Sequence, residues 1–386
     1  MGTVYARPDH RQAQLAQFAK TCDQQIKKSA LPPLVDQERE RGQELRRILK
    51  MRHPFAIPPK LEPECMRVLE AIIKEPGELN RRRRRRIRFW LNRARALAPK
   101  SLRRIRAHED PLIRNLLLKG KPEIPDDQRD FGDFVHICLW EEIAVAAGVK
   151  DKDYIDQFWK GLPILGPIVR SGRWQALFDE PEQSIEDLMS RAWEIRRTVI
   201  NRAKTDPKAK GDKEIWDATM ADVARGQAIG PYTEEEIAAV VGDDDWICAY
   251  RFGVEQSNKI RGCDDYCRNE GNSTSARSEL LQVTATDEII AKIKSLQKYA
   301  DGSNLDLCGW ILDEAEAYRQ IPVRPDHRKY AVICVRDPKG GVKFFVMIGH
   351  SFGLISAVYN YNRRSAMLDE LSLIHISEPT SPLYLA

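Results

Sequence analysis

The sequence predicts an α+β fold preceded by a mostly helical, basic region. Residues 1–130 are polar and basic, and helical segments such as Asp36–Met51 and Glu62–Lys74 are separated by prolines. Further along, the strand-like runs Tyr330–Arg336 and Val342–Ile348 flank a DPKGG turn, which is typical of an antiparallel hairpin. Because helical segments surround that hairpin, the C-terminal half is expected to be α+β.

The composition is typical of a mostly globular chain. Its 386 residues are 42% hydrophobic, which is enough for two or three domains with a sizeable core. No apolar run reaches the length of a membrane span, so no membrane partner is expected. The eight cysteines are scattered, which favours an intracellular location, cytoplasmic or nuclear. Cys263 and Cys267 lack a second pair or a histidine cluster, so structural or surface roles are favoured over zinc binding.

Helical patterns and one linker organise the middle of the chain. The run from Phe131 to Val149 predicts a buried helix that ends at Gly148. Ser184–Lys204 predicts another, with Ser184 as N-cap and Asp187 three residues later. Residues 204–214 form a charged Pro/Gly linker and are the clearest candidate domain boundary. Later helices are predicted over Glu234–Val241, Thr286–Tyr299 and Phe352–Leu371, and a strand over 310–313.

An arginine-rich segment is the strongest charge feature, although the net charge is only +5. Its helix is predicted to begin near Asn80, a suitable N-cap, and to end before Pro99. Such a run attracts polyanions, and nucleic acid is the usual one because neutralised phosphates release counterions. The alternatives are a solvated helix face and a nuclear-localisation signal. The residues expected to contact nucleic acid are Arg81, Arg82, Arg83, Arg84, Arg85, Arg86 and Arg88.

Four segments of the C-terminal half occur in a recognisable order. They are KIRGCDDY (259–266), LDEAEAYRQIPV (312–323), RPDHRKYAVICV (324–335) and FVMIGHSFGLISAVYNYNR (345–363). Together they resemble the fingers motif, motif A and motif B of the reverse transcriptases of retroelements. The resemblance spans roughly residues 215–370 and implies a partial right-hand polymerase, with fingers and an incomplete palm.

The matches fall on named positions of motifs A and B. Motif A of the family has an Asp, three variable residues and then Ala-Tyr or Ala-Phe, which Asp313, Ala317 and Tyr318 match. Motif B has Pro-Phe-Gly-Leu, two residues and then Ala. The matching residues here are Phe352, Gly353, Leu354 and Ala357. Ser351 stands in place of the usual proline, so the geometry of this turn can differ from the family's.

The resemblance implies template-directed nucleotidyl transfer by two-metal catalysis. Two divalent ions clamp the attacking and leaving oxygens of such a reaction, and Mg²⁺ (or Mn²⁺) prefers hard oxygen ligands. By resemblance Asp313 is the catalytic, metal-binding aspartate, and the carbonyl of Glu314 adds a ligand. The partners implied are an RNA or DNA template-primer and a deoxynucleoside triphosphate.

Further residues acquire nucleotide-binding roles from the same resemblance. Lys259 and Arg261 are cations suited to phosphate oxygens, and the amides of Glu316 and Ala317 would donate to the triphosphate. Tyr318 would lie under the sugar and select against a 2′-hydroxyl. Asp265 and Tyr266 match the Asp-aromatic pair of the fingers motif. Phe352 and Gly353 would touch the nucleotide and the template base.

The third catalytic motif of the family, an Asp-Asp hairpin after motif B, does not follow Arg363. The expected organisation is a basic helical region (1–130), a mixed, mostly helical connecting region (131–210), reverse-transcriptase-like fingers and partial palm (211–370), and a tail (371–386). That tail is similar to translated sequencing-library adapter; a real, disordered tail is the alternative. We therefore expect a truncated, inactive fragment. The competing interpretations are a non-enzymatic nucleic-acid-binding protein that uses the arginine helix and a decayed remnant.

Two further Asp runs could supply the missing motif only in a permuted palm, because both precede motif A. They are GDDDW (242–246) and GCDDY (262–266). An acidic loop is predicted for the first and the fingers motif for the second.

Overall fold

The computed structural model describes residues 76–128, 132–207, 209–256, 259–282, 286–299 and 314–377. The predicted helices over Asp36–Met51 and Glu62–Lys74, the strand over 310–313 and the carboxylate of Asp313 lie outside these residues. In the part of the chain that is described, no helix has both the length and the apolar character needed to cross a membrane.

The elements before the large sheet are mostly helices. In chain order they are α1 (Pro76–Arg106), α2 (Pro111–Leu117), α3 (Ile137–Ala147), α4 (Tyr154–Lys160), β1 (Gln175–Ala176), α5 (Ile185–Ser190), α6 (Ala192–Thr205) and α7 (Asp212–Ala224).

The remaining elements alternate between strands and helices. They are β2 (Ala228–Tyr232), α8 (Glu234–Val241), β3 (Cys248–Gln256), β4 (Lys259–Asp264), β5 (Glu279–Leu280), α9 (Thr286–Tyr299), β6 (Val332–Arg336), β7 (Val342–Met347) and α10 (Ile355–Ser377). Three short 3₁₀ turns lie between them, at Gly271–Thr274, Ala317–Gln320 and Pro325–Tyr330.

A five-stranded mixed sheet forms the centre, in the order β2-β7-β6-β3-β4. The β6–β7 pair is the predicted antiparallel hairpin, so that prediction is confirmed. The β3–β6 pair is parallel and joins segments far apart in the sequence. Strands and helices are thus both present, as the α+β prediction requires.

Helices α6 and α7 cover opposite faces of this sheet. On one face Arg202 of α6 lies over the Tyr250 ring, 5.9 Å from its centroid. On the other, Trp216 of α7 packs edge-on against Phe345 at 5.6 Å. Because both faces are covered, β6 is buried along Val332–Val335.

The linker predicted at 204–214 connects α6 to α7. Arg336 at the end of β6 donates to the carbonyl of Ala203 at 3.0 Å and to the carboxylate of Asp212 at 2.9 Å. The linker is therefore held against the end of β6, with the helices on its two sides packed on the same sheet.

A second, helical core lies beside the sheet core. Leu102 and Ile105 of α1, Ile113 of α2 and Phe158 of α4 are all buried in it. Met367 of α10 belongs to the same cluster, so the C-terminal helix contributes to this layer.

The arginine helix differs from its prediction at both ends. α1 begins at Pro76 rather than near Asn80, and it continues through Pro99 to Arg106. The prediction that it ends before Pro99 was wrong. Ala98 and Leu102, on either side of the proline, are fully buried, so tertiary packing offsets the hydrogen bond that proline removes.

Other helix predictions held in part. α8 has the predicted bounds, and α3 ends at Gly148, whose φ of +60° makes it a left-handed cap. α3 is not a buried helix, because Val145 is 79% exposed.

The single helix predicted over Ser184–Lys204 is two helices that break at Arg191, although Ser184 and Asp187 form the predicted capping box. α10 continues past Leu371, its predicted end, to Ser377.

Helix α9 falls in a different compact unit from the other described elements. It spans the predicted Thr286–Tyr299. Its Ile289 and Ile293 lie four residues apart on one face and are 49% and 40% exposed.

Candidate functional site

Two of the motif segments meet at a tight backbone contact. The amide of Asp264, the last residue of β4, donates to the carbonyl of Phe352 at 3.2 Å. Gly353 has a φ of +103°, and a Cβ atom there would lie 2.1 Å from the carbonyl oxygen of Asp264. Only glycine fits this position, because both the backbone angle and the space exclude a side chain.

Asn272 fixes the same turn from the other side. Its side-chain nitrogen donates to the carbonyl of Gly353 at 2.8 Å, and its side-chain oxygen accepts from the amide of Ile355 at 3.0 Å. The second bond satisfies a free amide at the start of α10. The Ser351–Gly353 turn is therefore held by β4 and by the 3₁₀ turn at Gly271–Thr274.

Four charged side chains connect this turn to the motif A segment; three are buried, and Asp222 is partly exposed. Arg251 of β3 binds Asp264 with two bonds, of 2.6 and 3.1 Å, and Asp222 of α7 at 3.0 Å. Arg319, which follows Tyr318, lies 3.5 Å from the carboxylates of both Asp264 and Asp222. Arg319 also donates to the carbonyl of His350 at 3.3 Å. Each charge is paired, as buried ions require.

The network changes the titration of its members. Burial alone would raise the pKa of Asp264, but Arg251 and Arg319 outweigh it and hold that pKa below its usual value. Burial lowers the pKa of Arg319, and the neighbouring charge of Arg251 lowers it further. Asp264 therefore remains an anion at neutral pH and anchors both guanidinium groups.

Three aromatic rings cluster above this network. The Tyr318 ring lies 5.0 Å from that of Phe352 and 5.3 Å from that of Tyr361. The guanidinium of Arg319 lies over the Phe352 ring, 5.2 Å from its centroid. Burial raises the pKa of the Tyr318 hydroxyl, so it stays protonated at neutral pH. The structure thus brings together Tyr318 and Phe352, as the motif interpretation requires.

The Glu314–Gln320 segment is held at its acidic residues. Glu316 has a left-handed backbone, with φ of +61°, and its carboxylate binds Arg225 at 2.8 Å and accepts from Gln227. The carboxylate of Glu314 pairs with Arg364 of α10. Ala317 begins the 3₁₀ turn that carries Tyr318.

The predicted fingers residues take different positions. Lys259 and Arg261 are exposed and lie two residues apart on β4, so both project from the same face of that strand. Asp265 instead forms an ion pair with Arg202 of α6 at 3.1 Å. Tyr266 is buried, and its hydroxyl lies 3.4 Å from that of Ser351. Roles in nucleotide binding stay predictions for all of these residues.

The sequence analysis missed Arg251, Asp222 and Gln227 and gave Asp264 no role. Their partners lie at least 13 residues away in the sequence, so no local pattern identifies them. The acidic loop predicted at GDDDW is confirmed, because Asp243 accepts from the amide of Asp245 at 2.9 Å and pairs with Lys329.

Among the described residues, no group of three or more His, Cys, Asp and Glu side chains could hold a metal ion. Glu314 and Glu316 are each engaged by an arginine, so these carboxylates do not by themselves fit a magnesium site. The magnesium prediction therefore rests on Asp313, outside the described residues, with the backbone carbonyl of Glu314 as the further predicted ligand. Searches of protein-family models, curated proteins and solved structures found no match to the chain.

Proposed function

We propose that residues 211–370 are the fingers and the first part of the palm of a reverse-transcriptase-like polymerase, and that they bind a deoxynucleoside triphosphate opposite a template base. The observation that supports this most is the convergence of three motif segments on one turn. Gly353 packs on the end of β4, and Phe352 packs on Tyr318.

Exposed and half-buried side chains of the motif segments have the chemistry that a nucleotide needs. Lys259 and Arg261 offer cations for the polyphosphate on an edge strand. Tyr318 offers a half-buried ring beside Phe352 for the sugar and base. Arg319 and Asp264 lie beneath and act as positioning residues, since they tie the two ring-bearing segments together.

Nucleotide binding is the property to test, because no Asp-Asp motif follows Arg363 and primer extension by this chain is not expected. A fluorescent deoxynucleoside triphosphate should bind in the presence of Mg²⁺ and a template-primer, more tightly when it matches the template base. Arg261→Gln should weaken binding about tenfold, as expected for loss of one charge-assisted bond. Lys213→Gln, at an exposed lysine on α7, is the matched control.

Binding that ignores the template base, or that is equal in Arg261→Gln and the control, would contradict the proposal. A longer chain that supplies an Asp-Asp hairpin should extend a primer, and Asp313→Asn should abolish that extension.

A second candidate function is nucleic-acid binding by α1. It is favoured by three arginines in the first half of this helix, Arg84, Arg85 and Arg88, which are all exposed. Within the described part of the chain none of the three has a carboxylate partner. Such a surface would bind the template strand or its transcript.

A further inference from the structure

Some arginines of α1 are paired with carboxylates of other elements, whereas others, among them Arg95 and Arg103, are exposed without such a partner in the described residues. In the second half Arg93 binds Glu142 with two bonds, the longer of 2.7 Å, and Arg104 binds Glu141 at 2.6 Å. Arg106 pairs with Asp126. These arginines are neutralised by neighbouring elements, so they fasten the helix to the rest of the fold.

The first half presents a strip of uncompensated charge. Arg84, Arg85 and Arg88 are related by three- and four-residue spacings, so they lie on one side of the helix. All three are exposed, without an acidic partner in the described residues. A strip of this kind attracts anionic ligands.

Apolar side chains lie beside the same strip. Phe89 is 48% exposed and lies one turn after Arg85, with its ring 5.1 Å from that of Trp90 in an edge-on contact. Ile87 and Leu91 are 48% and 40% exposed. A simple solvated charged face would not need an accessible aromatic ring at this position.

Together these features fit a single-stranded nucleic acid. Arginines neutralise its phosphates, and an exposed aromatic ring stacks on an unpaired base. A duplex offers the phosphates but keeps its bases inside the stack. An acidic peptide offers charge without the flat rings that Phe89 could stack on.

We propose that the strip formed by Arg84, Arg85, Arg88 and Phe89 is a binding site for single-stranded nucleic acid. The inference rests on the nucleic-acid role proposed for α1 and adds the strand preference and the stacking residue. Because the strip reads no base edges, it does not discriminate between base sequences.

The test uses the full chain and fluorescence anisotropy with labelled 20-nucleotide oligo(dT), oligo(U) and a blunt duplex of equal length. Both single strands should bind at least tenfold more tightly than the duplex. Replacing Arg84, Arg85 and Arg88 by Gln should reduce the slope of log K against log salt by about 2, since each single-strand phosphate contact contributes about 0.7. Phe89→Ala should weaken single-strand binding roughly tenfold and leave duplex binding unchanged.

Matched controls separate the strip from general charge and hydrophobicity. Lys152, Lys204 and Lys339, all exposed, are replaced by Gln to remove the same charge elsewhere. Phe178→Ala removes another exposed aromatic ring, which is 87% accessible. Neither variant should change the affinity for oligo(dT) by more than about twofold. Phe89→Trp keeps a ring at the site and should retain the affinity. Unchanged duplex binding by Phe89→Ala shows that this variant is folded.

The outcomes distinguish the two levels of the proposal. Equal affinity for single strands and duplex, or unchanged binding in Phe89→Ala, would overturn the strand preference while leaving a general nucleic-acid role. Displacement of oligo(dT) by poly-glutamate at the same charge concentration would show a surface for any polyanion. Binding of none of the three nucleic acids would overturn the nucleic-acid role itself.

Discussion

Two groups of arginines show how the same residue type serves different purposes in this molecule. Arg251 and Arg319 are buried and bound to Asp222 and Asp264. In the first half of α1, Arg84, Arg85 and Arg88 are exposed and have no acidic partner among the described residues. The first group holds three segments of chain together, whereas the second leaves its charge available to a ligand. Pairing and burial, rather than the number of arginines, separate structural charge from binding charge.

Breaking the ion pairs of Arg251 and Arg319 should have the largest effect on the free energy of unfolding. Asp264→Asn removes the anion shared by Arg251 and Arg319, and loss of one partner from a buried ion pair costs about 3–5 kcal/mol. Urea unfolding at pH 7 should show this loss in the free energy of unfolding. Asp217→Asn, at an exposed aspartate paired with Lys213, is the control and should cost less than about 1 kcal/mol.

The same variant has a predicted pH dependence. Because the folded pKa of Asp264 is lowered, its stabilisation is present above the unfolded pKa of about 3.9 and is lost as pH falls through the folded pKa. The stability difference between wild type and Asp264→Asn should therefore shrink below about pH 4. A constant difference down to pH 2 would contradict the proposed charge network.

Titration of a buried histidine, His350, should have the next largest effect on stability. The carbonyl of Ile321 can only accept, so Nδ1 of His350 carries the proton and donates to it at 2.9 Å, while Nε2 accepts from Asn360 at 3.0 Å. Burial lowers the pKa of His350 to about 4. Since an unfolded histidine titrates near 6.5, stability should fall as pH drops from about 6.5 to 4, by on the order of 3 kcal/mol.

This effect can be measured from urea unfolding at several pH values between 7 and 4. His327, whose pKa burial also lowers to about 4, adds to the same trend. His350→Asn should reduce the slope of stability against pH over this window. An unchanged slope would mean that His350 does not titrate as its burial indicates.

Gly353→Ala tests the contact between the turn and β4. The added Cβ meets the backbone oxygen of Asp264 at 2.1 Å at a φ of +103°, so we expect a loss of about 2 kcal/mol or more. Gly340→Ala, at a φ of +92° with nothing near the added atom, separates backbone strain from the clash. Equal losses in the two variants would show that the contact with β4 contributes nothing.

The exposed group should give the smallest effect on stability. Replacing Arg84, Arg85 and Arg88 by Gln should change the free energy of unfolding by less than about 0.5 kcal/mol per residue, because surface substitutions away from packed features are usually neutral. Thermal unfolding measures this directly. A large loss would show that these arginines are structural, like Arg251, and would remove the distinction between the two groups.

The sequence predicted elements whose signals are local. The capping box at Ser184, the bounds of α8 and the β6–β7 hairpin follow from residues within a few positions of one another. The parallel β3–β6 pair was not predicted, because it joins residues far apart in the sequence. The β3–β4 hairpin is local but was also not predicted. The continuation of α1 through Pro99 depends on tertiary packing, which overrides a local helix-breaking signal.

The candidate site also has a part that the sequence predicted and a part that it did not. The motif order predicted that the segments around Tyr318 and Phe352 belong together, and their rings are 5.0 Å apart. The charges that hold them, on Asp222, Arg251 and Asp264, have partners on other elements and leave no periodic pattern. The role of Asp313 stays a prediction.

A nucleotide site at this turn is tested most directly by photolabelling with a deoxynucleoside triphosphate that carries a reactive azide on its base, in the presence of Mg²⁺ and a template-primer. We predict saturable labelling of peptides from 259–266, 317–320 and 351–353, which an unlabelled triphosphate complementary to the template abolishes. Labelling that an excess of unlabelled nucleotide does not reduce, or saturable labelling confined to other parts of the chain, would contradict a nucleotide site at this turn.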